Sequence, residues 1–277
     1  MDCKIIADSC CDLTHELKEK LDVTHIPLTL RLGKKELSDD KNLDLDGFMS
    51  EMKECKEKVG SAAPAPHFFQ EAIAKAKQSF VITLSSKLSG SYNSAVAGKE
   101  LAQENENVSV HVFDSKSASA GEALIAIKLH ELMQIGMLKD SIIQTVNRFI
   151  DNMKTYFLLE NYDNLQKNGR MGKVTGTFAS ILNIKLLMGS DGNGNVALVA
   201  KQRGINRAVD KLISLVRESG KKTDGENFVI SHCNNPDLAE RLASAIRQLY
   251  NFKEVFIIPM KGLSSLYADN RGIVLAF

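Results

Sequence analysis

Tryptophan is absent from the 277 residues, and aromatic residues make up only 6%. Apolar surface must therefore come mainly from Leu, Ile, Val, Ala, Met and Phe. An excess of charge of one sign is missing too. Thirty-five Lys and Arg stand against 34 Asp and Glu, a formal charge of +1. Binding nucleic acid through bulk charge needs a basic face, so this balance argues against that class and leaves only a local patch open. No run of about 18 apolar residues occurs, so no transmembrane helix and no stable membrane insertion are expected. Asp2 and Lys4 open onto a short apolar run without an h-region or a small-residue cleavage site, which does not read as a signal peptide. The cysteines are few and odd in number: Cys3, Cys10, Cys11, Cys55 and Cys233. Irregularly spaced in a large chain without an export signal, they read as reduced thiols of a cytoplasmic protein.

What remains is ordinary globular material, 44% hydrophobic and 25% charged. The length suggests about two domains. Through residue 153, β-rich runs alternate with amphipathic stretches. Lys4–Ala7, Val23–Leu32, Phe80–Leu84 and Val108–Phe113 read as strands. A helix over Cys11–Leu21 has Asp8 or Ser9 as its possible cap, and further helices cover 44–58, 67–78, 91–103 and about 120–135. This is the pattern of an α/β layer with a mostly parallel sheet. Pro27 marks an edge or a strand start, and Ser61–Pro66 reads as a loop.

After the helix 141–153 the pattern changes. Tyr156–Glu160 is a short strand, 169–188 a mixed apolar segment read as helix then strand, and 184–203 a hairpin turning at Asp191–Asn195. Helices over 206–218 and 236–250 and strands over 228–233, 255–260 and 272–277 follow. The expected fold is α/β overall: residues 1–153 as an N-terminal α/β domain and 154–277 as an α+β domain with a mixed or antiparallel sheet.

Familiar signatures fail. Gly169-Arg170-Met171-Gly172-Lys173-Val174 lacks the Ser or Thr after the lysine of a P-loop, and its first glycine is misplaced. Gly192, Gly194 and Ala197 precede a strand, which suits a hairpin turn better than a dinucleotide fingerprint. Asp191, Asn193 and Asn195 begin like a calcium loop, but Val196 and Gln202 stand where the glycine and bidentate glutamate are needed. No zinc spacing and no Gly-x-Ser-x-Gly elbow is present, so neither metal nor cofactor is called for. His67, just after the proline loop, is the best-placed histidine for chemistry; each of the others reads as structural or solvated.

Three strand-to-helix loops share a design: Asp8-Ser9, Ser85-Ser86-Lys87-Leu88-Ser89-Gly90-Ser91, and Asp114-Ser115-Lys116-Ser117. Such loops gather at the carboxyl edge of a parallel sheet, where ligands bind. The Asp-Ser pairs serve equally well as helix caps. The central loop offers four hydroxyls and a glycine at a helix start, a setting for an anion held without a buried cation.

These residues, with Asp12-Leu13, Ile26-Pro27-Leu28, Asp39-Asp40, Ser61-Ala62-Ala63-Pro64-Ala65-Pro66, Ala120-Gly121, Gly169-Arg170-Met171-Gly172-Lys173, Leu182-Asn183-Ile184-Lys185 and Lys201-Gln202-Arg203-Gly204, are similar to those of the DegV family. These are bacterial fatty-acid-binding proteins that include the FakB subunit of fatty acid kinase. The resemblance runs in order along essentially the whole chain. It implies two domains enclosing one long-chain fatty acid whose carboxylate meets Ser61 and Ser89, with Gly90 supplying backbone. It further implies a separate kinase that phosphorylates the bound acid, so that the chain is a carrier and not itself an enzyme. Arg170 matches an arginine near the pocket mouth and Arg203 a second basic position, both expected to serve the kinase or the phosphate; for Arg203 a plain surface ion pair is an equal alternative.

One departure stands out. Many members end with His-x-Gly-Pro-Gly, and here that histidine position falls on or near Tyr267. A phenol can donate one hydrogen bond but carries no positive charge. Apolar material for an acyl chain is available in Phe178, Ile181, Leu182, Ile184, Leu186, Leu187 and Met188, which an ordinary core would use equally well. The rival reading is a serine-dependent acyl hydrolase or a phosphotransferase of small substrates, although no Ser/His/Asp set and no phosphate-gripping motif is spaced for it.

Overall fold

The computed structural model describes residues 3–105, 107–171 and 183–277. The chain begins β1 (Cys3–Asp8), α1 (His15–Leu21), β2 (Val23–Ile26), β3 (Thr29–Leu32), β4 (Lys35–Ser38), α2 (Leu45–Glu54), β5 (Val59–Ala62) and α3 (Pro66–Ile73). It continues with β6 (Gln78–Thr83), α4 (Ser91–Asn105), β7 (Ser109–Asp114), α5 (Ala120–Gln134), α6 (Lys139–Asn152), β8 (Thr155–Leu158) and α7 (Asp163–Lys167). After the undescribed segment come β9 (Ile184–Ser190), β10 (Val196–Arg203), α8 (Ile205–Glu218), β11 (Asn227–His232), α9 (Pro236–Leu249), β12 (Glu254–Pro259), α10 (Gly262–Ala268) and β13 (Ile273–Ala276). The helix expected between Gly169 and Asn183, with Gly172, Lys173, Phe178, Ile181 and Leu182, lies outside the described residues.

The fold is α/β, as the alternating pattern implies. A parallel sheet has the order β2-β1-β6-β7. Its inner strands carry Ile5-Ile6-Ala7 and Phe80-Val81-Ile82, buried on both faces, the apolar run a covered parallel sheet requires. A mixed sheet has the order β10-β9-β8-β13-β11-β12, antiparallel throughout except for the β11–β12 pair.

A third, antiparallel sheet, β4-β3-β5, departs from the reading of Val23–Leu32 as one strand. Pro27 has no N–H for a ladder. The next N–H, that of Leu28, goes to the Ser9 hydroxyl at 3.0 Å. The chain therefore leaves the parallel sheet after Ile26 and starts β3 in another. Part of the expected proline loop is also strand: Ser61 and Ala62 close β5, opposite Leu30 and Thr29. The start of α1 shifts as well. Thr14 caps it, accepting from the Leu17 N–H at 3.2 Å, and Asp8 and Ser9 act elsewhere.

Helix α5 is buried nearly all round and packs against β1 and β6 of the parallel sheet and β11 and β13 of the mixed one. A helix apolar on every side belongs in the interior. Its residues join Ile5, Phe80, Val229 and Ala276 in one hydrophobic cluster, so the two large sheets share a core.

Candidate functional site

The loops leaving β1, β6 and β7 meet at the carboxyl edge of the parallel sheet, and their aspartates tie them together. Asp8, fully buried, accepts from the Cys10 N–H at 3.1 Å, from the Leu84 N–H at 2.9 Å and from the Ser91 hydroxyl at 2.6 Å. Asp114 accepts from the N–H groups of Ser86 and Lys116, both at 3.1 Å. Neither caps the helix after its own strand; each braces its own loop and ties it to the segment that follows β6.

Beside these loops lies a cavity of about 860 Å³, its open mouth included. Ser61, Ser89, Arg170 and Tyr267 all line it. The hydroxyls of Ser61 and Tyr267 are hydrogen-bonded at 2.9 Å, which joins the end of β5 to α10. The Ser89 Oγ accepts from the Ser91 N–H at 3.2 Å, so its own O–H stays available. The Arg170 guanidinium sits 5.2 Å from the Tyr267 ring centroid and donates through Nε to the Leu88 carbonyl at 2.9 Å. A further N–H goes to the Asn168 carbonyl at 3.0 Å. Burial pushes the Tyr267 phenol above its usual range, partly offset by Ser61 and Arg170, so it is a neutral donor at ordinary pH.

The walls are apolar, with Leu28, Leu84, Phe157, Leu159, Met260 and Leu263 among them. Ile184, Leu186, Leu187 and Met188 are not among the lining residues. The hairpin turn between β9 and β10 closes one side: the Ser85 hydroxyl donates to the Gly194 carbonyl at 2.8 Å, and the Ser190 hydroxyl to that of Lys116 at 3.1 Å. Gly194 has φ +90°, and a Cβ there would lie 2.3 Å from the Ser85 Oγ.

Two further acids hold α10, which carries Ser264 and Tyr267 to the cavity. Asp12 accepts from the Lys261 N–H at 2.7 Å and from the Ser119 hydroxyl at 2.6 Å. Asp39 accepts from the Leu263 N–H at 3.0 Å. Burial raises each to about 6, against the hydrogen bonds that favour the charged forms. Gly90 follows Ser89 but is exposed and outside the lining; a Cβ there would meet only Ala63, at 3.7 Å. Arg203 is exposed at the end of β10, also outside the lining. His67 is on α3 with its ring against Phe68, likewise away from the cavity.

A family model described as "Uncharacterised protein, DegV family" matches residues 2–276. The chain belongs to the DegV family. A DegV domain-containing protein of Streptococcus pyogenes serotype M1 is 34% identical over 278 residues, covering 99% of this chain and 98% of that one. Among solved structures, a DegV family protein of Ruminococcus gnavus, refined with vaccenic acid, has a TM-score of 0.96 at 34% identity, with both chains fully covered. The fatty acid kinase B3 protein of Streptococcus pneumoniae, loaded with linoleic acid, has a TM-score of 0.91 at 30% identity, covering 100% of this chain and 99% of that one. A Eubacterium eligens DegV protein loaded with heptadecanoic acid gives 0.91 at 28%, with coverage of 99% and 98%.

Ser61, Ser89 and Tyr267, singled out by the resemblance, line one cavity; the groups that hold them there carry no local sequence signal. Asp12 and Asp39 stood out only as acidic matches, since a carboxylate that caps a helix more than 200 residues away leaves no local pattern. Helix α10 was not foreseen, because seven residues of mixed polarity make too few turns to show a period.

Proposed function

We propose that this chain binds one long-chain fatty acid in the cavity and presents it to a separate fatty acid kinase for acyl phosphate formation. The observation that carries the reading is the 2.9 Å Ser61–Tyr267 hydroxyl pair, set with Ser89 in a cavity whose other walls are largely apolar. One O–H of the pair is used within it and the other is left to donate. With the Ser89 hydroxyl, that makes two uncharged donors for a carboxylate. Burying the acid head without donors would be costly. The tail supplies affinity: roughly fourteen methylenes at about 0.8 kcal/mol each give on the order of 11 kcal/mol before ordering costs.

Arg170 meets the head-group end through the Tyr267 ring and keeps N–H groups to spare for a carboxylate or phosphate. Arg203, exposed and apart from the cavity, suits contact with the kinase. On this reading the chain is a cytoplasmic carrier and the chemistry belongs to its partner. A serine hydrolase needs a base beside its nucleophile, and among the described residues no histidine lines the cavity. The test is denaturing extraction and mass spectrometry of the purified protein. About one long-chain fatty acid per chain is expected; a lipid-free protein that takes up none when offered would refute the proposal.

A further inference from the structure

Glu122 lies in the first turn of α5 and is 0% exposed. Both carboxyl oxygens are shut off from water, and no N–H or O–H donates to either among the described residues. The titratable groups that face it are Asp8 at the end of β1 and Cys10, Cys11 and Asp12 in the loop beyond. Strand residues packed with α5 in the common core, Ile5, Ala7, Phe80, Ile82, Val229 and Ala276, are apolar. Among the described residues no cation is paired with either acid. Asp8 differs in kind, because its three donors favour the charged form. With Asp8 served by three N–H and O–H donors and Glu122 by no more than the weakly donating Cys10 thiol, a single proton belongs on Glu122. Burial first, and the Asp8 charge next, keep Glu122 well above the usual carboxylate range.

We propose that Glu122 is a positioning residue: it keeps its proton, donates it to the Asp8 carboxylate, and thereby holds together the loops that line the cavity. Asp8 takes donors from Cys10 and Leu84, both in the cavity wall, and from Ser91, whose N–H in turn supports the Ser89 hydroxyl. A second negative charge facing Asp8 would repel it from those donors. The inference rests on the fatty-acid reading of the site, and its test separates the two.

An infrared difference spectrum between the wild type and Glu122→Gln at neutral pH reads the proton without any ligand. A protonated-carboxyl carbonyl stretch, present in the wild type and lost in the variant, is expected; carboxylate bands alone would overturn the assignment. Oleic acid binding then reads the positioning role. Glu122→Gln, which keeps an N–H donor, should bind within about twofold of wild type. Glu122→Met, similar in length but without a donor, should bind at least about tenfold more weakly, and Glu122→Ala should follow it if it folds. Equal affinity in the Gln and Met variants overturns the role. A wild type that binds no oleic acid refutes the fatty-acid reading instead, leaving the spectrum to decide the proton.

Discussion

Ser89 brings a hydroxyl to a cavity whose exposed wall is mostly apolar, so its loss is read in binding. Ser89→Ala should weaken fatty acid binding by about 1–3 kcal/mol, the cost of a buried acceptor left without its donor. Displacement of a fluorescent fatty acid measures it, and unchanged affinity would remove Ser89 from the site. Tyr267→Phe tests the other donor and should cost about 1 kcal/mol by the same assay. His25 makes a separate, pH-dependent prediction. Its Nε2 lies 2.9 Å from the Cys11 carbonyl, which can only accept, so the proton sits on Nε2. Burial lowers the ring from 6.5 to about 4. Between those values the unfolded chain binds more protons than the folded one, so the contribution is fully present above 6.5 and drains away as pH falls toward 4. Urea unfolding should show the wild type losing stability more steeply than His25→Asn across that window; parallel slopes would contradict it. At this scale the hydroxyls were legible because Ser61 and Ser89 sit in local motifs, while the partners of Asp12, Asp39 and Glu122 are long-range and leave no trace in spacing.

Helices α3 and α4 touch backbone to backbone at Gly98. A Cβ there would lie 2.5 Å from the Pro66 carbonyl oxygen and 2.7 Å from the Phe69 Cβ, with no flexible side-chain end to yield. Gly98→Ala should therefore push α3 from α4 and destabilise the fold by about 1–3 kcal/mol, seen as a lowered urea midpoint. Wild-type stability in that variant would mean the helices separate freely. The same loops tie this contact to the site, since the Ser94 hydroxyl bonds the Pro64 carbonyl at the end of the Ser61 segment. Strands β1, β6, β7 and β11 were legible because they are continuous apolar or β-branched runs. Strand β4, mostly exposed along Lys35-Glu36-Leu37-Ser38, has no buried face to advertise. Strand β5 is short and runs into the proline loop, and Pro27 alone hinted that Val23–Leu32 would be divided between two sheets.

Across the whole molecule, α5 binds the parallel and the mixed sheet into one core, while the cavity takes walls from both. We propose a division near residue 153 as topological and expect one cooperative unfolding transition; two resolved transitions would show that the shared core does not couple the halves. A bound acid should add about 2.7 kcal/mol to the unfolding free energy at a free concentration one hundred times Kd, and so raise the midpoint. The order of strands and the site at the carboxyl edge of the parallel sheet were legible in the alternating pattern. The closure by the β9–β10 turn was not, because Gly194 and Ser85 meet only in three dimensions. The most direct measurement is an equilibrium titration of delipidated protein with oleic acid, wild type beside the Ser61→Ala/Ser89→Ala double variant. One saturable site per chain, clearly weakened in the double variant, is expected; no saturable binding, or equal binding by both proteins, would contradict the account.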